Sequence, residues 1–462
     1  MFLGRDRELA KLEQMYAGSA FECAVIYGRR RVGKTTLIGE FIRNKKAIYY
    51  TATETSAREN LESMSRAILG ITPEAGEAFP VYARFQDALD AVHERAKTKR
   101  LIFVIDEYPY VAASYQGFSS LLQKQIDLKF KDSRLMLILC GSSMSFMEGE
   151  VLGYKSPLYG RRTAQFKIQP FGYFETRLFF PRWKPEEQAL AYAVTGGVPQ
   201  YLAFFDAGRP AAENIRKNFL DPNANLFEEP LNLLQQEVRE PAQYNAVIKA
   251  IATGSTKSSE IADRTGLQSS ALAVYLRNLI SLGIAVKEEP VTGDSRRKTL
   301  YRIADSMFRF WYRFIPGHTA LIQRGMAGEA WRRIQPQIPA FMGGVFEDIC
   351  KEWLWRENSR EKLPLSFIQA GRWWGNDKTR RQETEIDILA FSDSGEAIIG
   401  ECKWTGTQVS AGILQTLEER SGIFPYKNKF LYLFSKSGFT AACKKRAAQT
   451  GARLVSFAQM NS

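Results

Sequence analysis

The sequence predicts an α/β fold: a doubly wound parallel sheet, followed by a smaller helical region and a second α/β region. Three observations predict it. Short apolar runs, Cys23–Tyr27, Lys99–Asp106 after its charged start, and Leu135–Cys140, are separated by stretches with apolar residues at helical spacing. That is the pattern of parallel strands buried on both faces and covered by helices. The first run passes through a glycine-rich turn, Gly28–Thr35, straight into a helical stretch, Thr36–Arg43. Near the C-terminus two more apolar runs, Glu385–Phe391 and Ala397–Trp404, flank the turn Ser392–Glu396 and read as a hairpin.

At 462 residues the chain is too long for one core, so roughly two to four domains are expected. Hydrophobic content of 45% and aromatic content of 12% place it among globular rather than disordered chains. No apolar run is long enough to cross a bilayer, and Met1–Tyr16 is amphipathic and charged, unlike a secretory signal. The cysteines (Cys23, Cys140, Cys350, Cys402 and Cys443) are scattered without a C-x-x-C pair. This argues against a zinc site and for a reducing, cytoplasmic compartment. With only His93 and His318, histidine-based acid–base or metal chemistry has little to work with. A net charge of +13 and a pI of about 9.4 favour an anionic partner such as nucleic acid; a merely basic surface is the other reading.

In chain order, Phe2–Tyr16 reads as a helix after Gly4-Arg5, either an entry segment beside a bound base or an ordinary surface helix. Gly28–Thr35 spells G-x-x-x-x-G-K-T, the phosphate-binding P-loop, in the strand–loop–helix context the motif requires. Its glycines let the backbone wrap close to phosphate, so Gly28, Arg29, Arg30, Arg31, Val32, Gly33, Lys34, Thr35 and Thr36 aim N–H groups and a helix N-terminus at negative charge. Lys34 is expected on the β- and γ-phosphates of ATP, and the Thr35 hydroxyl on Mg²⁺. Lys46–Thr51 reads as a second strand and Ala57–Leu69 as a helix. The run from Lys99 ends in Asp106-Glu107, the hhhhDE form of a Walker B strand. Asp106 is expected to hold Mg²⁺ opposite Thr35, and Glu107 to polarise the attacking water.

Leu135–Cys140 ends in Gly141-Ser142-Ser143, where either serine is a candidate γ-phosphate sensor or part of a simple turn. In Ser156–Arg162, Arg161 or Arg162 could offset charge developing in phosphoryl transfer, in cis or on a neighbouring subunit; an arginine pair on a basic surface is the alternative. Phe166–Pro170 reads as a further strand. In Tyr192–Leu202, Gly-Gly-Val-Pro either brings backbone close to nucleotide or breaks a helix.

Together GRRRVGKTTL, LIFVIDEY, LMLILCGSS, SPLYGRR and TGGVPQYL resemble the archaeal-type ATPase family, in the STAND group of AAA-related P-loop NTPases. The resemblance spans roughly the first half of the chain. It implies a core in which the Walker B strand lies next to the P-loop strand, a helical lid after it, and Pro199 near the base.

Tyr244–Ala252, Ser258–Ala262 and Ser269–Leu282 read as helices, and Val286–Pro290 and Lys298–Ile303 as strands flanking GDSRRK. That order describes a winged helix with Arg296, Arg297 and Lys298 on the wing. Because SSALAVYLRNLI offers few base readers, non-sequence-specific binding or docking is favoured over base readout. Asp305–Phe314 reads as a packed aromatic connection and Gly317–Pro339 as a hinge-like one.

In the tail, Phe341–Trp355 reads as a helix carrying Glu347, and Gly371–Trp374 as a short strand. Alternation places Glu401 and Lys403 on one face of their strand, and Glu385 and Asp387 on one face of theirs. Asp387, Glu401 and Lys403 then converge as the D…E-x-K set of the PD-(D/E)XK nuclease fold, which this region resembles. Asp387 and Glu401 would bind Mg²⁺ or Mn²⁺, Glu347 would complete the site, Lys403 would orient water, and Gln415 is a weaker addition. The expected division is 1–180 P-loop ATPase core, 181–238 helical lid, 239–315 winged helix, 316–340 linker and 341–462 nuclease-like domain. The function expected is a cytoplasmic, DNA-associated ATPase with metal-dependent nuclease potential. The rival is a nucleotide-controlled signalling switch whose tail binds a protein partner without cleaving DNA; separately, an arginine acting in trans would require a homo-oligomer.

Overall fold

The computed structural model describes residues 2–72, 79–292, 298–377 and 382–462. Apolar runs with nothing to show water must lie between two layers of helices. In the first of two units, Met1–Pro170 with Val198–Gln200, they form strands β1 (Glu22–Tyr27), β2 (Ala47–Thr51), β3 (Leu101–Asp106), β4 (Leu135–Gly141) and β5 (Ala164–Lys167). All pair in parallel, in the order β2-β3-β4-β1-β5. The expected adjacency of the Walker B strand β3 and the P-loop strand β1 is therefore corrected: β4 lies between them. Every residue of β4 is buried, as is every residue of β3, so both need interior positions. The exchange does not separate the loop from the acid. Tyr27 pairs with Gly141 and Ile105 with Leu139, so β1 and β3 rise to the same edge of the sheet.

Alternate residues of β3 serve opposite cores: Phe103 and Ile105 on one face, Ile102 and Val104 on the other. Each such side chain contributes about 1.5–3 kcal/mol on burial. Helix α1 (Asp6–Ala17) and helix α2 (Lys34–Ile42) pack on the second face through Leu12, Leu37, Ile38 and Phe41. Helix α3 (Ala57–Leu69) packs on the first, its start fixed by a reciprocal cap between Ser56 and Glu59. Helix α4 (Phe118–Leu128) follows on the same face.

The second unit comprises Phe171–Gly197 and Tyr201–Ser462. Helices Pro185–Thr195, Ala211–Phe219 and Glu229–Glu237 lie where the lid is expected. Pro241–Ala252, Ser258–Thr265 and α5 (Ser269–Ser281) follow, then an antiparallel ribbon of β6 (Ala285–Glu288) and β7 (Leu300–Ile303). Arg296 and Arg297 lie outside the described residues. Helix α6 (Ser306–Phe314) is capped by Asp305, which accepts the Phe308 N–H at 3.0 Å. Its aromatics, Phe308, Phe310 and Trp311 among them, are buried in packing.

The connection expected over 316–340 is corrected. It contains helices Thr319–Gln323 and Ala327–Ile334 and the start of α7 (Ile338–Ser359). Ala330, Trp331 and Ile334 form a buried stripe at helical spacing, which draws this stretch into the fold.

The tail sheet has the order β12-β11-β10-β9-β8 among the described residues: β8 (Gln369–Asp377), β9 (Gln382–Phe391), β10 (Glu396–Lys403), β11 (Asn428–Ser435) and β12 (Arg453–Ser456). β8, β9 and β10 are antiparallel, while β10, β11 and β12 are parallel through α8 (Ala411–Ser421) and α9 (Ala441–Thr450). Among the described residues no helix is long and apolar enough to cross a membrane.

A Cβ on Gly28 would stand 2.3 Å from the Ile168 carbonyl oxygen, beside the bond from Ile168 N–H to the Tyr27 carbonyl. Gly28→Ala is expected to cost about 1–3 kcal/mol, read as a lower thermal unfolding midpoint. Gly39→Ala, with open space at its Cβ inside α2, is the control and is expected to hold or raise the midpoint.

Candidate nucleotide site and C-terminal carboxylate centre

Leaving β1, the chain passes Arg31 at φ 71° and Gly33 at φ 90° before α2 begins at Lys34. These left-handed turns wrap residues 28–36 into one loop at a helix N-terminus. The Lys34 ammonium sits within it, donating to the carbonyls of Gly28 at 2.9 Å and Arg29 at 3.0 Å. Pro199 packs over Gly33, 3.7 Å from where a Cβ would be. Arg5 was missed as a functional residue. Its buried guanidinium donates to the Val32 carbonyl at 3.1 Å and to the Gln169 carbonyl, holding the loop from beneath. Neither bond is local, so only the Gly-Arg before α1 hinted at it.

Asp106 is buried and its carboxylate is fully engaged. Oδ2 accepts from Thr35 Oγ1 at 3.3 Å and from Tyr49 at 2.6 Å, and Oδ1 accepts the Glu107 N–H at 3.0 Å. Burial and the Asp106 carboxylate push the Tyr49 phenol up, so it remains a donor. Tyr49 was also missed; it comes from β2, which pairs with β3. Glu107 takes φ 50°, a conformation costly for a non-glycine residue, which turns it out of the strand. Its carboxylate accepts Ser142 Oγ at 2.9 Å and Ser142 N–H at 3.2 Å. Of the two serines, Ser142 is the one brought to the acid. Thr35 and Asp106 are hard oxygen donors side by side, a set that suits Mg²⁺ shared with phosphate.

Arg161 and Arg162 are not brought to this loop. Arg161 pairs with Asp127 on α4 at 2.9 Å and donates to the Tyr159 carbonyl; Arg161 and Lys131 hold the Asp127 carboxyl below its usual range. The Arg162 guanidinium lies 5.9 Å from the Tyr159 ring centre and donates to the Leu152 carbonyl.

In the tail, Gly371 pairs with Leu389 but Trp373 pairs with Ile386. Between these pairs Arg372 alone of β8 opposes Asp387 and Ile388 of β9, a bulge in β9. The bulge breaks the simple alternation expected of Glu385 and Asp387. It re-aims Asp387, whose Oδ2 accepts the Cys402 N–H at 2.8 Å just beyond the last ladder pair, Gly400 with Ile388. Lys403 Nζ lies 2.5 Å from Glu401 Oε1, and Arg420 Nη1 lies 3.5 Å from Glu401 Oε2.

Burial, with Glu401 and Glu347 nearby, pushes the Asp387 carboxyl up to about 7. Burial pulls the Lys403 ammonium down, but Glu401 outweighs it and holds Lys403 above its ordinary value. Burial also raises Glu347, whose Oε2 is 3.4 Å from Arg372 Nε. Among the described residues no three His, Cys, Asp or Glu side chains are arranged to hold a metal ion. Asp387 and Glu401 fit a divalent cation as two close, buried carboxylates, whereas Glu347, expected as the third, is drawn off by Arg372. Gln415 bonds Glu419 on its own helix.

The loop, the Thr35–Asp106 contact and the poised Glu107 define a P-loop ATPase. Residues 2–205 match a family described as an ATPase domain predominantly from Archaea, and residues 311–413 match one described as Archaea bacterial proteins of unknown function. An uncharacterized protein of Methanocaldococcus jannaschii is 33% identical over 409 residues, 87% of this chain and 88% of that protein. The chain belongs to the archaeal-type ATPase family. An uncharacterized ATP-binding protein of the same organism is 48% identical over 46 residues, 10% of this chain and 78% of that protein. Among solved structures, the Walker-type ATPase of Pyrococcus abyssi superposes with a TM-score of 0.48 at 20% identity, covering 68% of this chain and 96% of that one.

Three outcomes are expected at the nucleotide site. Lys34→Ala abolishes ATP turnover and weakens ATP binding, whereas Glu107→Gln cuts turnover about 10²–10⁴-fold while fluorescent ATP still binds. Arg5→Ala, by loosening the loop, raises KM for ATP more than it lowers kcat, measured by steady-state hydrolysis.

Proposed function

We propose that this ATPase acts on DNA, hydrolysing ATP in its N-terminal unit and cutting or gripping a phosphodiester backbone with its C-terminal centre. The observation that carries this reading is the meeting of Asp387, Glu401 and Lys403 at the end of the β9–β10 hairpin. Two buried carboxylates beside a lysine held in its charged form suit a centre that manages negative charge on a phosphate. A divalent cation held by Asp387 and Glu401 would neutralise the scissile phosphate. Lys403 would hold the attacking water or the developing charge, and Cys402 N–H fixes the Asp387 rotamer. In the N-terminal unit, Thr35 and Asp106 would hold Mg²⁺, which supplies charge neutralisation on the β- and γ-phosphates. Lys34 orients those phosphates and Glu107 takes the proton of the attacking water.

The three helices and ribbon over 241–303 support a winged helix, used for non-specific binding or docking. Val274 and Ile280 are exposed on α5, a surface poorer in base readers than a sequence-reading helix presents. The net charge of +13 supports a polyanionic partner.

A second reading, a nucleotide-controlled signalling switch whose tail binds a protein, is favoured by one observation. Glu401 is closed into ion pairs with both Lys403 and Arg420, and Glu347 into one with Arg372.

Nicking of supercoiled plasmid in Mn²⁺ decides between them. Wild type is expected to nick, Lys403→Ala is expected to lose at least about 100-fold of that rate, and ATP turnover is expected to be equal in both. No nicking by wild type would remove cutting and leave gripping or the switch.

A further inference from the structure

A cavity of about 600 Å³ opens in the second unit between the β6–β7 ribbon and strands β8 and β9 of the tail sheet. Its lining includes Lys257 and Lys298 from the helix–ribbon part, Trp374 and Asn376 from β8, Glu385 from β9, and Arg420 from α8. The nucleotide chemistry described so far uses none of the first four.

Three features give it the character of a binding site. Its lining borders the carboxylate centre: Arg420 donates to the Glu385 carbonyl at 3.2 Å and pairs with Glu401, and Glu385 is two residues from Asp387. Its two lysines are held loosely or not at all by acids. Lys298 has no acid partner among the described residues, and Lys257 stands 3.9 Å from Glu260. The acid within it, Glu385, is matched by Arg372 at 3.3 Å. Finally, it holds a fixed aromatic ring. The Trp374 indole N–H donates to the Lys298 carbonyl at 3.1 Å, which sets the ring against the ribbon. Next to it, Gly375 has no Cβ; one built there would lie 2.9 Å from the Lys298 ammonium. The glycine is what lets that charge rest on β8.

A ring for stacking, amide edges and cations spaced along a groove are the means by which single strands are bound. The volume lies in the range of about 300–1,000 Å³ that encloses a small ligand. Unstacked nucleotides fit such a space, while a stacked, paired duplex does not.

We propose that this cleft takes a single-stranded stretch of nucleic acid, such as a frayed end or a flap. Its phosphates lie on Lys257 and Lys298, a base stacks on Trp374, and the strand runs on to Asp387, Glu401 and Lys403. The inference rests on the nucleic-acid reading of that centre and narrows its substrate from DNA in general to unpaired strand.

The test is anisotropy of a short fluorescent oligothymidylate with the full-length chain in EDTA, where no cleavage occurs. A blunt duplex and thymidine monophosphate serve as competitors. Wild type is expected to prefer the single strand about tenfold over duplex. Trp374→Ala is expected to lose about tenfold in single-strand affinity, with Trp374→Phe recovering most of it, because a phenyl ring still stacks. Lys298→Gln is expected to weaken binding and flatten its salt dependence. ATP turnover and thermal unfolding report whether each variant is folded. Equal single-strand affinity in folded Trp374→Ala, Trp374→Phe and wild type overturns the proposal. So does duplex binding as tight as single-strand binding, or Trp374-dependent binding of the mononucleotide alone. Asp387→Asn separates the two readings. Trp374-dependent strand binding that persists in this variant, with no cleavage by wild type in Mn²⁺, sustains the cleft and removes the nuclease. Cleavage that proceeds with no dependence on Trp374 removes the cleft and leaves the nuclease.

Discussion

The contact of Thr35 with Asp106 is the constraint on which the N-terminal unit depends. A hydroxyl on the first turn of α2 and a carboxylate at the end of β3 come within 3.3 Å although β4 lies between β1 and β3. Burying an acid as Asp106 is buried is expensive unless donors surround it. Here Tyr49, Thr35 and the Glu107 N–H supply them. The same hydrogen bonds that make the burial tolerable also fix the Asp106 carboxylate beside the Thr35 hydroxyl at the foot of the phosphate loop. Stability of the sheet edge and readiness for ATP are one arrangement seen from two sides.

Backbone strain is spent at the same edge. Among the described residues, Arg31, Glu107 and Glu361 are the non-glycines with positive φ, and the first two flank the nucleotide site. At Glu107 the unusual turn has a clear geometric result. It swings the acid away from Asp106 toward Ser142, so that two adjacent carboxylates have separate hydrogen-bond partners. Arg5 adds a third support, holding the loop through Val32 as Asp106 is held through Tyr49.

What could be read from the sequence was whatever is contiguous along the chain. The phosphate loop, the Asp106-Glu107 pair, the helix Ala57–Leu69 and the helix–helix–helix–ribbon order all announce themselves within a few residues. The order of strands does not, because β3 and β4 are equally apolar and only packing decides which lies next to β1. Arg161 looked available for phosphate because its partner, Asp127, is remote in sequence. Tyr49, Arg5 and Arg372 act through contacts with distant elements and leave no local mark. The helices of 319–334 were hidden by the glycines and prolines around them, although the Ala330–Trp331–Ile334 stripe was present. In the tail, the residue types of the centre were legible, but the diversion of Glu347 to Arg372 was not.

The extra residue in β9 deserves its own consequence. A regular ladder would carry Asp387 past the hairpin end in strict up-and-down alternation; the bulge lets it lean back onto Cys402 instead. Removing a single residue from that strand could restore the alternation and leave the rest of the sheet paired. The tail is thus one short deletion away from being a scaffold with no assembled centre. The position of Asp387 and the pairing of the sheet can therefore change independently of each other.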